Sequence, residues 1–260
     1  MKPNFIWING EFVPCEEAEV DVFAPTHQTS HLVFEDIRCY DTPDGPAVFR
    51  LGDHLGQFLE AIRARGYDAR YDVDDLCDTV YRTVTYNGVR EGSIRPAMYL
   101  NGEHNDIPKL AVAAWAWPAF TALENEEWGF KKAIAMNSGN IPERAALFLV
   151  DNHKIYTPPS EIFGNRVIRD SVITLAQDLG TSVHVQPLSR DWLYRADEVF
   201  LSTTVAEITP VREVDGRAVA ANIPGPVTSA LQSAFFETTR GRGRRSMEWL
   251  EWVWNSYVGM

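Results

Sequence analysis

The sequence predicts a mixed α/β (α+β) protein built in two parts, and three observations lead there. Short β-branched and aromatic runs alternate with longer stretches of helical periodicity along the whole chain. The patterning breaks at Trp117-Pro118-Ala119-Phe120, and an acidic stretch with Glu124, Glu126 and Glu127 follows. At 260 residues the chain is long enough for a sizeable core. The expected organisation is a small N-terminal domain over 1–117, a linker over 118–128 and a larger C-terminal domain over 129–260.

Phe5–Ile8 and Glu11–Pro14, joined through Asn9-Gly10, read as a hairpin, because Asn-Gly suits a tight turn with positive φ. Asp21–Phe23, Val33–Tyr40 and Ala47–Phe49 read as further strands. Asp53 is placed to cap a helix carrying Leu55, Leu59 and Ile62 that ends near Gly66. A second helix is expected over Val73–Tyr86, with an acidic start that suits the helix dipole. Strands are expected at Ser93–Leu100, Leu110–Trp115, Lys132–Met136, Leu147–Val150, Lys154–Tyr156, Ser182–Val185, Val199–Ser202 and Ile208–Val214. Helices are expected over Arg166–Leu179 and Val227–Thr239, and the tail Met247–Val253 is apolar enough to dock.

Composition narrows the function classes. A formal net charge of −12 argues against a nucleic-acid backbone or an anionic membrane as the main partner. Cys15, Cys39 and Cys77 are scattered and suggest neither a disulfide framework nor a metal site, and His104, His153 and His184 are equally dispersed. The start Met1–Phe5 lacks the apolar core of a signal peptide, and no apolar run is long enough to span a bilayer. A cytoplasmic protein is the expectation.

The stretch Val33–Tyr40 carries the most chemistry. Side chains alternate along a strand, so Phe34, Asp36, Arg38 and Tyr40 share one face. A carboxylate, a guanidinium and two aromatics make a reasonable pocket wall, and the guanidinium can grip a substrate carboxylate bidentately. The same residues are equally compatible with a solvated face or with an internal Asp36–Arg38 ion pair.

Beyond these patterns, the segments Ile6–Gly10, Phe34–Tyr40, Leu147–Val150, Ile155–Pro159, Arg169–Ile173, Ala206–Val211 and Trp249–Glu251 resemble, in order, the branched-chain amino-acid aminotransferases. The resemblance implies the fold-type IV architecture of pyridoxal 5′-phosphate (PLP) enzymes: a small N-terminal α/β domain and a larger β-barrel-like one, here truncated. It also implies a homodimer. PLP transamination needs a lysine to hold the cofactor and shuttle a proton. In the family that lysine follows an Asn-x-Ile-Pro stretch, whereas here Asn140-Ile141-Pro142-Glu143-Arg144-Ala145-Ala146 runs straight into Leu147–Val150. Lys2, Lys109, Lys131, Lys132 and Lys154 are the lysines present, and only Lys132 starts a strand near the missing block. The family's phosphate-binding arginine is matched by Gln57 after His54, and its Gly-Ile-Thr-Arg-Asp helix start by Arg166–Asp170.

Substrate-side positions match better. By resemblance, Arg38 and Arg95 line the substrate pocket, Phe34, Trp117 and Phe120 form its apolar wall, and Thr203, Thr204 and Val205 form a turn that meets a carboxylate. His31, Gln57 and Arg166 fill the former phosphate region. Loss on the cofactor side with retention on the substrate side gives the expectation of an enzyme that does not bind PLP. Asp36 and Arg38 would be its catalytic pair, acting on a small amino- or keto-acid carboxylate by isomerisation, cyclisation, elimination or dehydration. Alternatives are a non-catalytic partner or sensor pairing with an intact aminotransferase, and a PLP-dependent aminotransferase with a rearranged site.

Overall fold

The computed structural model describes residues 2–18, 32–99, 108–117, 134–139, 141, 144–159, 166–219 and 223–253. The chain divides into one unit of Met1–Pro118 with Thr239–Met260 and a second of Ala119–Thr238. The expected strand at Asp21–Phe23 and the expected linker lie outside the described residues.

In the first unit, β1 (Phe5–Ile8) and β2 (Glu11–Pro14) form the expected hairpin, with Asn9 at φ 48° and Gly10 at φ 110°. Then come β3 (Val33–Phe34), β4 (Ile37–Thr42), β5 (Gly45–Phe49), α1 (Leu51–Ala64), α2 (Val73–Tyr86), β6 (Gly92–Tyr99) and β7 (Lys109–Ala116). Helix α2 matches its expected bounds and starts with a capping box. The Asp75 N–H donates to the Asp72 carboxylate at 2.9 Å and the Asp72 N–H to Asp75 at 3.2 Å. Helix α1 starts earlier than expected. Arg50, left-handed at φ 46°, is its N-cap, and Asp53 lies in the first turn, where its carboxylate accepts from Arg50 Nε at 2.6 Å.

The single strand expected over Val33–Tyr40 is two strands with a break at Glu35-Asp36, but both keep one antiparallel register with β6. Phe34 faces Ala97 and Arg38 faces Ser93. Between them the Glu35 N–H donates to the Pro96 carbonyl at 3.1 Å. Pro96 has no N–H to return, so the ladder loses a bond there without losing register. The register sorts the side chains. Val33, Ile37, Cys39, Ile94 and Met98 join Leu55, Phe58, Leu59 and Ile62 of α1 and Leu76, Val80 and Val84 of α2 in one apolar core. Phe34 instead belongs with Ala97, Ala113 and Trp115 on the opposite face. The alternation expected for this stretch therefore holds.

The second unit contains β8 (Ile134–Met136), β9 (Ala146–Asp151), β10 (Lys154–Thr157), α3 (Arg166–Asp178), β11 (Val183–Val185), α4 (Arg190–Leu193), β12 (Glu198–Thr203), β13 (Glu207–Val214), β14 (Arg217–Ala218) and α5 (Pro226–Thr239). Its described strands run β11-β10-β9-β12-β13-β14, with β8 also on β13. This is an open sheet rather than the barrel-like closure expected. The buried Glu198 carboxylate accepts from the Val227 and Thr228 N–H groups at 2.9 and 2.8 Å and so caps α5.

The tail forms α6 (Ser246–Trp249) and β15 (Leu250–Trp252). Strand β15 pairs with β5, so the first unit's sheet runs β15-β5-β4-β6-β7-β1-β2, with β3 on β6. Residues 239–260 therefore belong to the N-terminal unit, although sequence order placed them in the C-terminal domain. The Glu251 carboxylate accepts from the Gly52 N–H at 3.2 Å and from Tyr81 Oη at 2.8 Å, tying the tail to the first turn of α1 and to α2. Burial and that carboxylate raise the Tyr81 pKa above its usual range.

Glu251→Ala should lower the unfolding free energy in urea by about 2 kcal/mol, because it leaves two part-buried donors without their acceptor. A second test is acid titration of Asp215, between β13 and β14. It accepts from Ser138 and from Tyr194 Oη at 2.8 Å, which lowers its pKa from 3.8 to about 2. Its contribution to stability is present above pH 3.8 and should fade as pH falls towards 2. An NMR titration of the Asp215 carboxyl carbon should show a midpoint near the lower value.

Candidate functional site

The face of the first unit's sheet away from α1 and α2 carries the candidate side chains. Asp36 and Arg95 lie opposite each other in the β3/β4–β6 register, and Arg95 Nη2 and Nε reach Asp36 Oδ1 at 2.7 and 2.8 Å. The Arg95 guanidinium also stands over the Phe34 ring, 4.5 Å from its centroid, and 5.8 Å from that of Trp115. The sequence placed Asp36 beside Arg38, as an acid–base group or an internal pair. The structure pairs it across the strands with Arg95, because cross-strand neighbours approach more closely than i, i+2 neighbours on one strand.

Arg38 is different. It is only 2% exposed, and its Nη1 donates to Ser93 Oγ at 3.3 Å. Among the described residues, its Nε and Nη2 have no hydrogen-bond partner. The guanidinium also lies 5.6 Å from the Tyr40 ring centroid. A buried cation without a counter-ion costs several kcal/mol, so this one is suited to meeting an anion.

Glu35, one position out of phase with Asp36, points to the helix side. Its buried Oε1 meets His54 Nδ1 at 2.8 Å and accepts from Gln57 Nε2 at 3.0 Å. His54 Nε2 and Gln57 Oε1 are buried without partners. Sequence reasoning missed this network. Its one signal was the i, i+3 spacing of His54 and Gln57, which puts both on one side of α1. Gln57, assigned to a phosphate region, instead gives its amide to Glu35.

In the second unit the turn after β12 brings Thr203, Thr204 and Val205 together. Thr203 Oγ1 accepts from the Ala206 N–H at 2.7 Å, Thr204 is buried and Val205 is exposed. Ser202, facing Ala146 of β9, has a fully buried Oγ without a partner. Arg166 is exposed at the start of α3. Arg169, in its first turn, donates through Nη2 to the Pro158 carbonyl at 3.1 Å, and its Nε is unpartnered. Burial lowers the Arg169 pKa. Trp117 is 44% exposed at the end of the first unit. His31 and Phe120 lie outside the described residues. Lys2 and Lys154 are exposed and Lys109 is half-buried at the start of β7, so no described lysine is buried. Lys131 and Lys132 lie outside the described residues.

Residues 120–214 match the family model for amino-transferase class IV. The branched-chain-amino-acid aminotransferase of Escherichia coli (strain K12) is 32% identical over 305 aligned positions covering 97% of this chain and 98% of the relative. That span exceeds the 260 residues present, so the relative has residues without a counterpart here. The Pseudomonas aeruginosa branched-chain-amino-acid aminotransferase is 29% identical over 95% of this chain and 97% of the relative. Among solved structures, the E. coli branched-chain amino acid aminotransferase superposes with a TM-score of 0.81 at 30% identity, covering 97% of this chain and all of that one. A T.th. branched-chain amino acid aminotransferase complexed with N-(5′-phosphopyridoxyl)-L-glutamate gives a TM-score of 0.84 at 28% identity over 97% and 99% of the two chains. These relatives overturn two expectations drawn from the missing block: that PLP is not bound, and that the protein is a PLP-independent isomerase, cyclase, lyase or dehydratase. The near-full-length match to aminotransferases, one of them solved with a phosphopyridoxyl ligand, outweighs the loss of individual positions.

His54→Ala leaves the buried Glu35 carboxylate a donor short and should lower stability by about 3 kcal/mol in chemical denaturation. A loss below about 1 kcal/mol would mean that Glu35 does not depend on His54.

Proposed function

Because the chain belongs to the class IV branched-chain-amino-acid aminotransferase family, we propose that it transfers an amino group between a branched-chain amino acid and a 2-keto acid with PLP as cofactor. The observation that carries this reading is the 32% identity over 97% of the chain with an aminotransferase. When bound, PLP supplies the electron sink that lets an amino acid's α-proton leave.

The chain's own residues divide the remaining work. Arg38 is the carboxylate grip: its Nε and Nη2 are buried, oriented and unpartnered, a donor edge for one planar acid group. Phe34, Trp115 and Trp117 offer apolar surface to a branched side chain. On the second unit, Ser202, Thr203 and Thr204 supply hydroxyls that could meet a phosphate, and Arg166 at the start of α3 is a separate candidate cation. The cofactor's amine partner is not met by Lys2, Lys109 or Lys154, the lysines among the described residues, and this leaves Lys131 and Lys132 as candidates.

Adding PLP to the purified protein should produce a visible absorption band. Borohydride reduction should then fix a phosphopyridoxyl group on the peptide holding Lys131 and Lys132. Lys132→Ala or Lys131→Ala should abolish the label, and leucine with 2-oxoglutarate should give glutamate at a rate that falls with it. A colourless protein carrying no label at saturating PLP would contradict the reading.

A further inference from the structure

The chain crosses between its two units twice, leaving the first after Pro118 and returning to it at Thr239. Both crossings are tied to one residue, Glu91, just before β6. The Glu91 carbonyl accepts from the N–H of Trp117, next to the outgoing crossing, at 3.3 Å. The Glu91 carboxylate accepts from Nη1 and Nη2 of Arg240, next to the returning crossing, at 2.7 and 3.2 Å. Arg240 Nη1 also donates to the Asp41 carbonyl at 3.1 Å, and the Asp41 carboxylate is held by Arg90 Nη2 at 2.7 Å. A side chain at position 92 would collide with the Trp115 carbonyl, so Gly92 lets β7 lie close to the start of β6 and bring Trp117 to Glu91. Every one of these contacts lies within the first unit.

We propose that Glu91 is a latch coupling the two crossings, so that the chain loosens at both or at neither. A planar guanidinium giving two N–H groups to one carboxylate fixes direction as well as distance. The Arg240 and Glu91 side chains are 17% and 19% exposed, against 59% and 41% for the neighbouring Arg90 and Asp41, so solvent weakens the latch less than the surface pair beside it. Gly241 follows at φ 79°, a left-handed turn that glycine takes without strain, and redirects the chain directly after the clamp. The returning segment is thus held by the side chain of Glu91 and the outgoing one by its main chain. Release of Arg240 frees Glu91 to shift, and the bond to Trp117, already long at 3.3 Å, is the next to break. The inference concerns the frame that carries both units and does not depend on the transamination reading.

Amide hydrogen exchange of the full chain tests it, with the Trp117 N–H as reporter and the substitution placed at the other crossing. Arg240→Gln should speed exchange at Trp117 about tenfold, while the β6 and β7 amides of Ile94 and Val112 keep their wild-type rates. Glu91→Gln should do the same, and the double variant Glu91→Gln, Arg240→Gln should exchange no faster than either single one, because the two changes remove one interaction. Should Arg240→Gln fail to fold, Arg240→Lys, which keeps the charge and loses the fork, should speed Trp117 exchange about threefold. Trp117 exchange unmoved by substitution at Arg240 overturns the proposal. So does a double variant in which the two effects multiply, and so does equal acceleration at Ile94 and Val112, which would mark a general loss of stability and not a coupling of the crossings. Failure of PLP labelling alongside the expected exchange pattern would sink the transamination reading and leave this inference standing.

Discussion

The antiparallel register of β3 and β4 against β6 is the constraint on which the site depends. It places Asp36 opposite Arg95 and Arg38 opposite Ser93, and sends Glu35 to the other face. A shift of one residue would put two carboxylates and a guanidinium the wrong way round, with charges facing the Leu55–Phe58–Leu59 core. Pro96 removes one ladder bond and not the register, because the flanking pairs Phe34–Ala97 and Ile37–Ile94 hold it.

This arrangement gives neighbouring residues distinct electrostatic roles. Glu35 is answered inside the fold by His54 and Gln57, and Asp36 is answered across the strands by Arg95. Among the described charged residues on this face, Arg38 alone keeps buried donors unpartnered. A fold bears such a cost where a ligand removes it, and an acid group is the ligand that a planar guanidinium fits best. The tail helps to hold the frame: Glu251 joins α1 and α2, the helices under the same sheet.

Much of the scaffold was legible. Asn9-Gly10 announced its hairpin, the acidic Val73-Asp74-Asp75 the start of α2, and period-two patterning the face shared by Phe34, Asp36 and Arg38. Strand partners were not, because one sequence carries no direct signal for which strand lies beside which. Asp36 was therefore matched to Arg38, its neighbour in sequence, and not to Arg95, fifty-nine residues away. Sequence order likewise put the tail with the second unit, although β15 pairs with β5. The cofactor was not legible for another reason: losses at single positions such as Gln57 point away from PLP, while the similarity through nearly the whole chain points to it.

The central claim is that the buried Arg38 guanidinium is kept for a ligand and not for the fold. Unfolding of Arg38→Met, measured with and without 4-methylvaleric acid, tests it most directly. If Arg38 serves a ligand, the variant without ligand is at least as stable as the wild type, since an unanswered buried charge is gone, and the acid no longer stabilises it. A variant destabilised by about 3 kcal/mol that still gains stability from the acid would contradict the claim.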